Sequence, residues 1–205
     1  MSEQAQRELH INVNILNAGV FGGSWRVPEN DPLSAYQLEH YVDIAKKAEA
    51  AKLDAVFLAD GPGLDPDLAY RAGNSFEPSV LLARIAAETE RVGLIGTFSS
   101  SFNDADELAG RLATIDAPSG GRFGWNVVTT AGGVVPANFG RDGEPDHSAR
   151  YQRASEVTAR VIAAWAGQEG AEVTLRSPQG RPVVVQAGAS KDGVRLAGEH
   201  AEVIF

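Results

Sequence analysis

His147 and Tyr151 stand four residues apart in a stretch of helical spacing, which sets an imidazole and a phenol one turn apart on one face. Two donors aimed at one point suit a phosphate or the edge of a ring-shaped ligand. The other reading is that Asp146 or His147 caps the helix and Tyr151 packs locally. Gly188-Ala189-Ser190 follows an apolar run. Small residues between a strand and a helix let backbone N–H groups approach an anion at the positive helix end, and Ser190 adds a hydroxyl donor. An ordinary strand-to-helix turn with Ser190 as N-cap fits the same residues. Asn126 lies inside the apolar run from Phe123 to Val128, where a buried amide requires a fixed partner such as a neighbouring loop. Asp60 and Thr97 sit at or near the ends of two further apolar runs.

The elements that must hold these groups alternate in type. Apolar–polar alternation makes His10 to Leu16 a strand. Leu38, Tyr41, Ile44, Ala45 and Ala48 give a helix over Ser34 to Lys52, with Ser34 as its N-cap. Ala55 to Ala59 is a buried strand, a helix follows Glu77-Pro78, and Val92 to Phe98 is a third strand. Asp104 to Ile115 reads as a helix. Ser119-Gly120-Gly121 is a turn leading into a fourth strand that ends at Thr129 and Thr130. Ala131 to Asp146 reads as loop, Tyr151 to Trp165 as helix, Pro182 to Gln186 as strand, Lys191 to His200 as helix and Ala201 to Phe205 as a sixth strand.

Strand and helix in alternation imply parallel strands with right-handed crossovers, in a closed barrel or an open doubly wound sheet. Ligands in either architecture bind at the carboxyl ends of the strands. Asp60, Thr97, Asn126 and Gly188 to Ser190 all fall at that end.

Composition narrows the chemistry. A formal charge of −9 argues against nucleic acid or an anionic membrane as the main partner. Without cysteine there is no disulfide, thiolate metal site or cysteine nucleophile. No Walker loop or Gly-x-Gly-x-x-Gly supports a nucleoside triphosphate or a Rossmann-bound nicotinamide, and His10, His40 and His200 lack the spacing of a metal triad. Met1 to Glu8 lacks the apolar core of a signal peptide and no run is long enough to span a bilayer, so a cytoplasmic protein is expected.

Several words of sequence stand here in a telling order: Ser119-Gly120-Gly121-Arg122, Gly124-Trp125-Asn126-Val127-Val128-Thr129, Asn138-Phe139-Gly140, His147 with Tyr151, and Gln186-Ala187-Gly188-Ala189-Ser190. From about Leu9 to Phe205 the chain resembles the bacterial-luciferase-like flavin monooxygenases, in the branch of nitrilotriacetate monooxygenase, dibenzothiophene-sulfone monooxygenase and pristinamycin synthase. The resemblance implies a single luciferase-like (β/α)8 TIM-barrel domain over 1–205. Only about six strand–helix units are present of the eight a barrel needs, and the chain stops on a strand. The intervals Asp65 to Phe76 and Trp165 to Pro182 also look short beside the family, so an incomplete barrel is expected.

It further implies the oxygenase component of a two-component system. FMNH2 from a separate NAD(P)H:flavin reductase would react with O2 and, through a C4a-peroxyflavin, insert one oxygen atom into a small organic substrate. A flavin-binding protein of the same fold without activity is the alternative, as is an inactive fragment. The family's flavin-contacting positions map onto Asp60, Thr97, His147, Tyr151 and Ser190, and the FMN phosphate onto Gly188, Ala189 and Ser190, with Asn126 beside them. A homo-oligomer is expected. One departure stands out: Asp106-Glu107 occupies the place of a Tyr-His pair in relatives, which puts substrate handling in doubt.

Overall fold

The computed structural model describes residues 9–17, 19–63, 76–132, 134–168 and 173–205. The polar Met1 to Glu8 segment and most of the Asp65 to Phe76 interval lie outside them. Six parallel strands form one sheet: β1 (Asn12–Asn14), β2 (Ala55–Leu58), β3 (Gly93–Ser99), β4 (Phe123–Val128), β5 (Val183–Gln186) and β6 (Val203–Ile204). Each strand pairs with its sequence neighbours in the order β1-β2-β3-β4-β5-β6. A doubly wound sheet reverses direction part-way and places helices on both faces. A run that never reverses, with crossovers of one hand, puts every helix on one face and leaves the other as the interior of a barrel. The order therefore decides between the two architectures: this is a half-barrel.

The helices are α1 (Leu38–Ala50), α2 (Pro78–Ala86), α3 (Ala105–Asp116), α4 (Val134–Asn138), α5 (His147–Trp165) and α6 (Lys191–His200). Register assigns the two faces. Leu58, Gly96, Trp125 and Val184 share one layer, and the Trp125 ring packs edge-on against Trp165 of α5, so this layer faces the helices. Thr97, Asn126, Val185 and Val203 share the next layer, which must face the barrel interior. Phe57, from the interior layer below, meets Phe205 with ring centroids 5.0 Å apart, so β2 and the end of β6 curl toward each other.

Several boundaries differ from expectation, among them the start of α5, which lies at His147, one turn before Tyr151. Ser34 starts a 3-10 turn, Ser34–Tyr36, instead of capping α1; extended Gln37 separates the two and offers no side-chain cap. The Ala131 to Asp146 segment, expected as loop, contains α4, whose Val134 and Val135 side chains crowd Gly63 after β2. β1 and β6 are also shorter than the sequence runs that announced them.

At the end of the sheet away from the strand C-termini, two charged groups hold the turn between α2 and β3. Glu49 Oε2 accepts from the backbone N–H groups of Glu90, Arg91 and Val92 at 2.9, 2.6 and 3.0 Å. Arg122, the arginine of Ser119-Gly120-Gly121-Arg122, donates to the carbonyls of Ala86, Thr89 and Val92 and to Thr89 Oγ1, all within 3.0 Å. Gly120 and Gly121 take φ of +75° and +82°, which lets the chain reverse so that Arg122 can point back.

The Val92 N–H foremost, then that of Arg91, hold the Glu49 carboxyl below its ordinary value. A depressed carboxyl pKa contributes stability that is full above the ordinary glutamate range and is lost as pH falls through it toward the lowered value. Glu49→Gln is therefore expected to flatten the acid limb of a stability–pH profile measured by urea denaturation. Glu49→Ala, which leaves three N–H groups without an acceptor, should cost about 2–4 kcal/mol at neutral pH.

Candidate active site

Helices that follow parallel strands begin at the strand C-termini, so their N-termini ring one end of the half-barrel. Three of these ends are occupied by carboxylates. Glu77 accepts from Ser79 and Val80 N–H at the start of α2, Asp104 from Asp106 and Glu107 N–H at α3, and Asp146 from Ala149 N–H at α5. The start of α6 differs: its cap is the neutral hydroxyl of Ser190, which accepts from Gly193 N–H at 3.1 Å. The capping reading of Ser190 is thus realised. Its hydroxyl proton is still available to donate, and the cap itself brings no charge; the one first-turn carboxylate of α6, Asp192, contacts His147, Ser148 and Arg195.

The turn into α6 is unusually close. Gly188 and Gly193 pack backbone to backbone, so that a Cβ on Gly193 would lie 2.7 Å from Gly188 O and 2.9 Å from Gly188 Cα. A Cβ on Gly188 would meet Gln186 Nε2 at 2.7 Å and Tyr151 Oη at 2.8 Å. Gln186, buried, accepts from Gly188 N–H through Oε1 at 2.6 Å and pins the turn. Tyr151 reaches this turn from α5. Its ring lies 4.7 Å from that of His147, so the pair does share one helix face. His147 Nδ1 is 3.2 Å from Asp192 Oδ2 in the first turn of α6, and Ser148 and Arg195 also contact that carboxylate. His147, Tyr151, Gly188 and Ser190 therefore form one cluster where α5 meets α6. Ala189 lies exposed between the last two.

Thr97 and Asn126 form a second cluster on the interior face. Asn126 Nδ2 donates to Thr97 Oγ1 at 2.9 Å, and both side chains are buried. Asn126 Oδ1 is buried with no hydrogen-bond partner among the described residues. A buried acceptor left unpaired is costly, and here it faces the barrel interior. The partner expected from a neighbouring loop is instead a threonine on the adjacent strand, and it satisfies half of the amide. Past it, Ser99 Oγ accepts from Thr130 Oγ1 at 2.8 Å, extending the polar strip toward the rim.

Asp60 lies exposed at the rim, two residues beyond the end of β2. Desolvation by the surrounding protein, with a smaller push from the Glu77 charge, raises its carboxyl above the ordinary aspartate range; an N–H bond from Gly61 opposes this. The Asp106-Glu107 departure has a structural use. Asp106 makes a two-pronged ion pair with Arg160 of α5 at 2.7 and 2.9 Å, and Glu107 lies 3.7 Å from Arg111, one turn along α3.

Gln186 as a pin, Gly193, Ser99 and Thr130 were not among the sequence candidates. The Gln186 signal was present as a polar residue ending an apolar strand. Gly193 carried only the oddity of glycine in the first turn of a helix.

Residues 22–205 match the model of the luciferase-like monooxygenase family. The chain belongs to that family. It is 33% identical to nitrilotriacetate monooxygenase component A of Aminobacter aminovorans over 98% of its length and 54% of the relative's. Among solved structures, it superposes on EDTA monooxygenase from Chelativorans sp. BNC1 with a TM-score of 0.90 at 33% identity, covering 97% of this chain and 55% of that one. It also superposes on riboflavin lyase, a structure described with modified FMN and riboflavin, with a TM-score of 0.84 at 29% identity over 97% and 54% of the two chains. The chain spans about half the length of the curated relatives it matches.

Proposed function

We propose that this chain is the flavin-binding part of an FMNH2-dependent monooxygenase of the two-component type. The carrying observation is the buried, unpartnered Asn126 Oδ1, held toward the barrel interior by Thr97. An isoalloxazine offers an N–H edge to such an acceptor, which gives the orphaned oxygen a partner. The second cluster fits the other end of the cofactor. Gly188, lacking a side chain, leaves its turn open beside Tyr151 Oη, and Ser190 and the N-terminus of α6 supply donors for a phosphate.

In this reading Thr97 and Asn126 orient the ring system, and Asp60 offers a carboxyl at the rim. Ser190, Tyr151 and the N–H groups of Gly188 and Ala189 hold the phosphate. His147 braces the turn through Asp192 more than it reaches the anion. Reduced FMN, when bound, supplies the electrons that let one atom of O2 enter a small organic substrate. A separate NAD(P)H:flavin reductase would supply it. The absence of a long apolar helix among the described residues and of cysteine in the chain supports assignment to the cytoplasm. A homo-oligomer belongs to the same reading.

Ser190→Asp tests the phosphate assignment while keeping a good N-cap. It should weaken FMN binding at least tenfold through charge repulsion and leave riboflavin, which has no phosphate, within about twofold. Dissociation constants from flavin fluorescence for both ligands decide it, and equal losses would remove Ser190 from the phosphate site. NADH consumption by the protein should require an added reductase; robust consumption without one would defeat the two-component assignment.

A further inference from the structure

A crevice that meets the end of the interior strip at Thr130 is lined by Ser101 and Phe102 after β3, Thr130 after β4, Arg141, Glu144 and Pro145 before α5, and Ala149, Arg150 and Arg153 on α5. Its volume, about 20 Å³, has room for one water-sized particle. Two of the lining residues each carry a buried polar atom with no partner among the described residues, Ser101 Oγ and Arg150 Nε. The Ser101 side chain belongs to a residue only 4% exposed.

The nature of these atoms restricts what can fill the space. Arg150 Nε can only donate, and Ser101 Oγ can donate freely. Two carbonyls and the one carboxylate along the wall are already engaged. Pro145 O takes the Arg150 guanidinium at 2.8 Å, and Ser101 O takes Arg153 Nε at 3.2 Å. Glu144 accepts from Gly132 N–H at 2.9 Å and lies 3.6 Å from Arg150. Arg141 stacks over the Phe102 ring at 5.0 Å, and Phe102 in turn stacks on Phe139. Three guanidinium groups thus meet one carboxylate, in a chain whose overall charge is −9. A water molecule would satisfy the two donors but must then place its own protons. A monatomic anion accepts from both, places none and balances the excess positive charge.

We infer that this crevice is a binding site for a halide-sized anion, chloride being the probe of that class. The anion would tie the β3–α3 turn to the 141–145 segment and to the first turns of α5. Those turns also carry His147 and Tyr151, so occupancy stabilises the helix end that forms half of the phosphate cluster. The site itself depends on no assumption about flavin.

Thermal unfolding of the purified protein from 5 to 200 mM chloride, with gluconate holding ionic strength constant, should show a saturable rise in Tm of about 2–4 °C. Bromide should substitute and give an anomalous diffraction peak in the crevice. Ser101→Ala, a mild change, should shift the chloride midpoint upward about tenfold. Arg150→Gln should abolish the response. Equal Tm in chloride and gluconate means the crevice holds water and overturns the inference. So does a bromide-soaked crystal without the peak, or a chloride response of unchanged size and midpoint in Ser101→Ala.

Discussion

Gly193→Ala is expected to unseat the turn from Gly188 to Ser190 and to weaken FMN binding by at least an order of magnitude. The reason is steric and local. The new Cβ would lie under 3.0 Å from the oxygen, carbonyl carbon and Cα of Gly188, all backbone atoms that cannot swing aside as a side-chain tip can. Relief requires α6 to move away from the turn. That separates Ser190 from Tyr151 and breaks the cradle pinned by Gln186. Overpacking of this kind costs about 2–4 kcal/mol. Gly198, five residues on in the same helix, supplies the control. Nothing lies within 4 Å of a Cβ there, so Gly198→Ala should gain about 0.5–1 kcal/mol from helix propensity alone. Urea denaturation of the two variants, with FMN titration of each, separates the two glycines. Similar behaviour would show that the contact between Gly188 and Gly193 does not shape the turn.

This pair of glycines shows where sequence reading stops. Gly193 and Gly198 look alike as letters in a helix, and the difference lies in a backbone contact that only the folded turn creates. The strands were legible because both faces of a parallel sheet are covered, which leaves continuous apolar runs such as Val56 to Leu58 and Val183 to Val185. β1 is short where, among the described residues, it pairs only with β2. α4 was invisible: five residues with proline at the third position are too few to show a period. Asn126 was legible as a polar residue in an apolar run, but its tie to Thr97 spans 29 residues and depends on strand register. Likewise, the Ser119-Gly120-Gly121-Arg122 word was visible, yet nothing local in it says which carbonyls Arg122 reaches.

Those carbonyls set the second large effect. Arg122→Ala is expected to lower stability by about 3–5 kcal/mol, because it strips charge-assisted donors from three backbone carbonyls at once. It also removes the positive charge that faces Glu49; burial lowers the Arg122 pKa and the Glu49 charge opposes that shift. Arg122→Lys keeps a charge but not the planar fork that spans Ala86, Thr89 and Val92, so it should recover well under half of the loss. Arg122 lies before the first residue of β4, whereas Asn126 and the helix N-termini lie toward the other end of the strands. Below its lowered unfolding midpoint, the Arg122→Ala protein should therefore bind FMN within about twofold of the unmodified chain. Gly193→Ala should lose both stability and affinity; Arg122→Ala should lose only stability. An Arg122→Ala protein that is folded by circular dichroism yet binds FMN tenfold more weakly would show that the two ends of the sheet are coupled, against the separation drawn from the strand register.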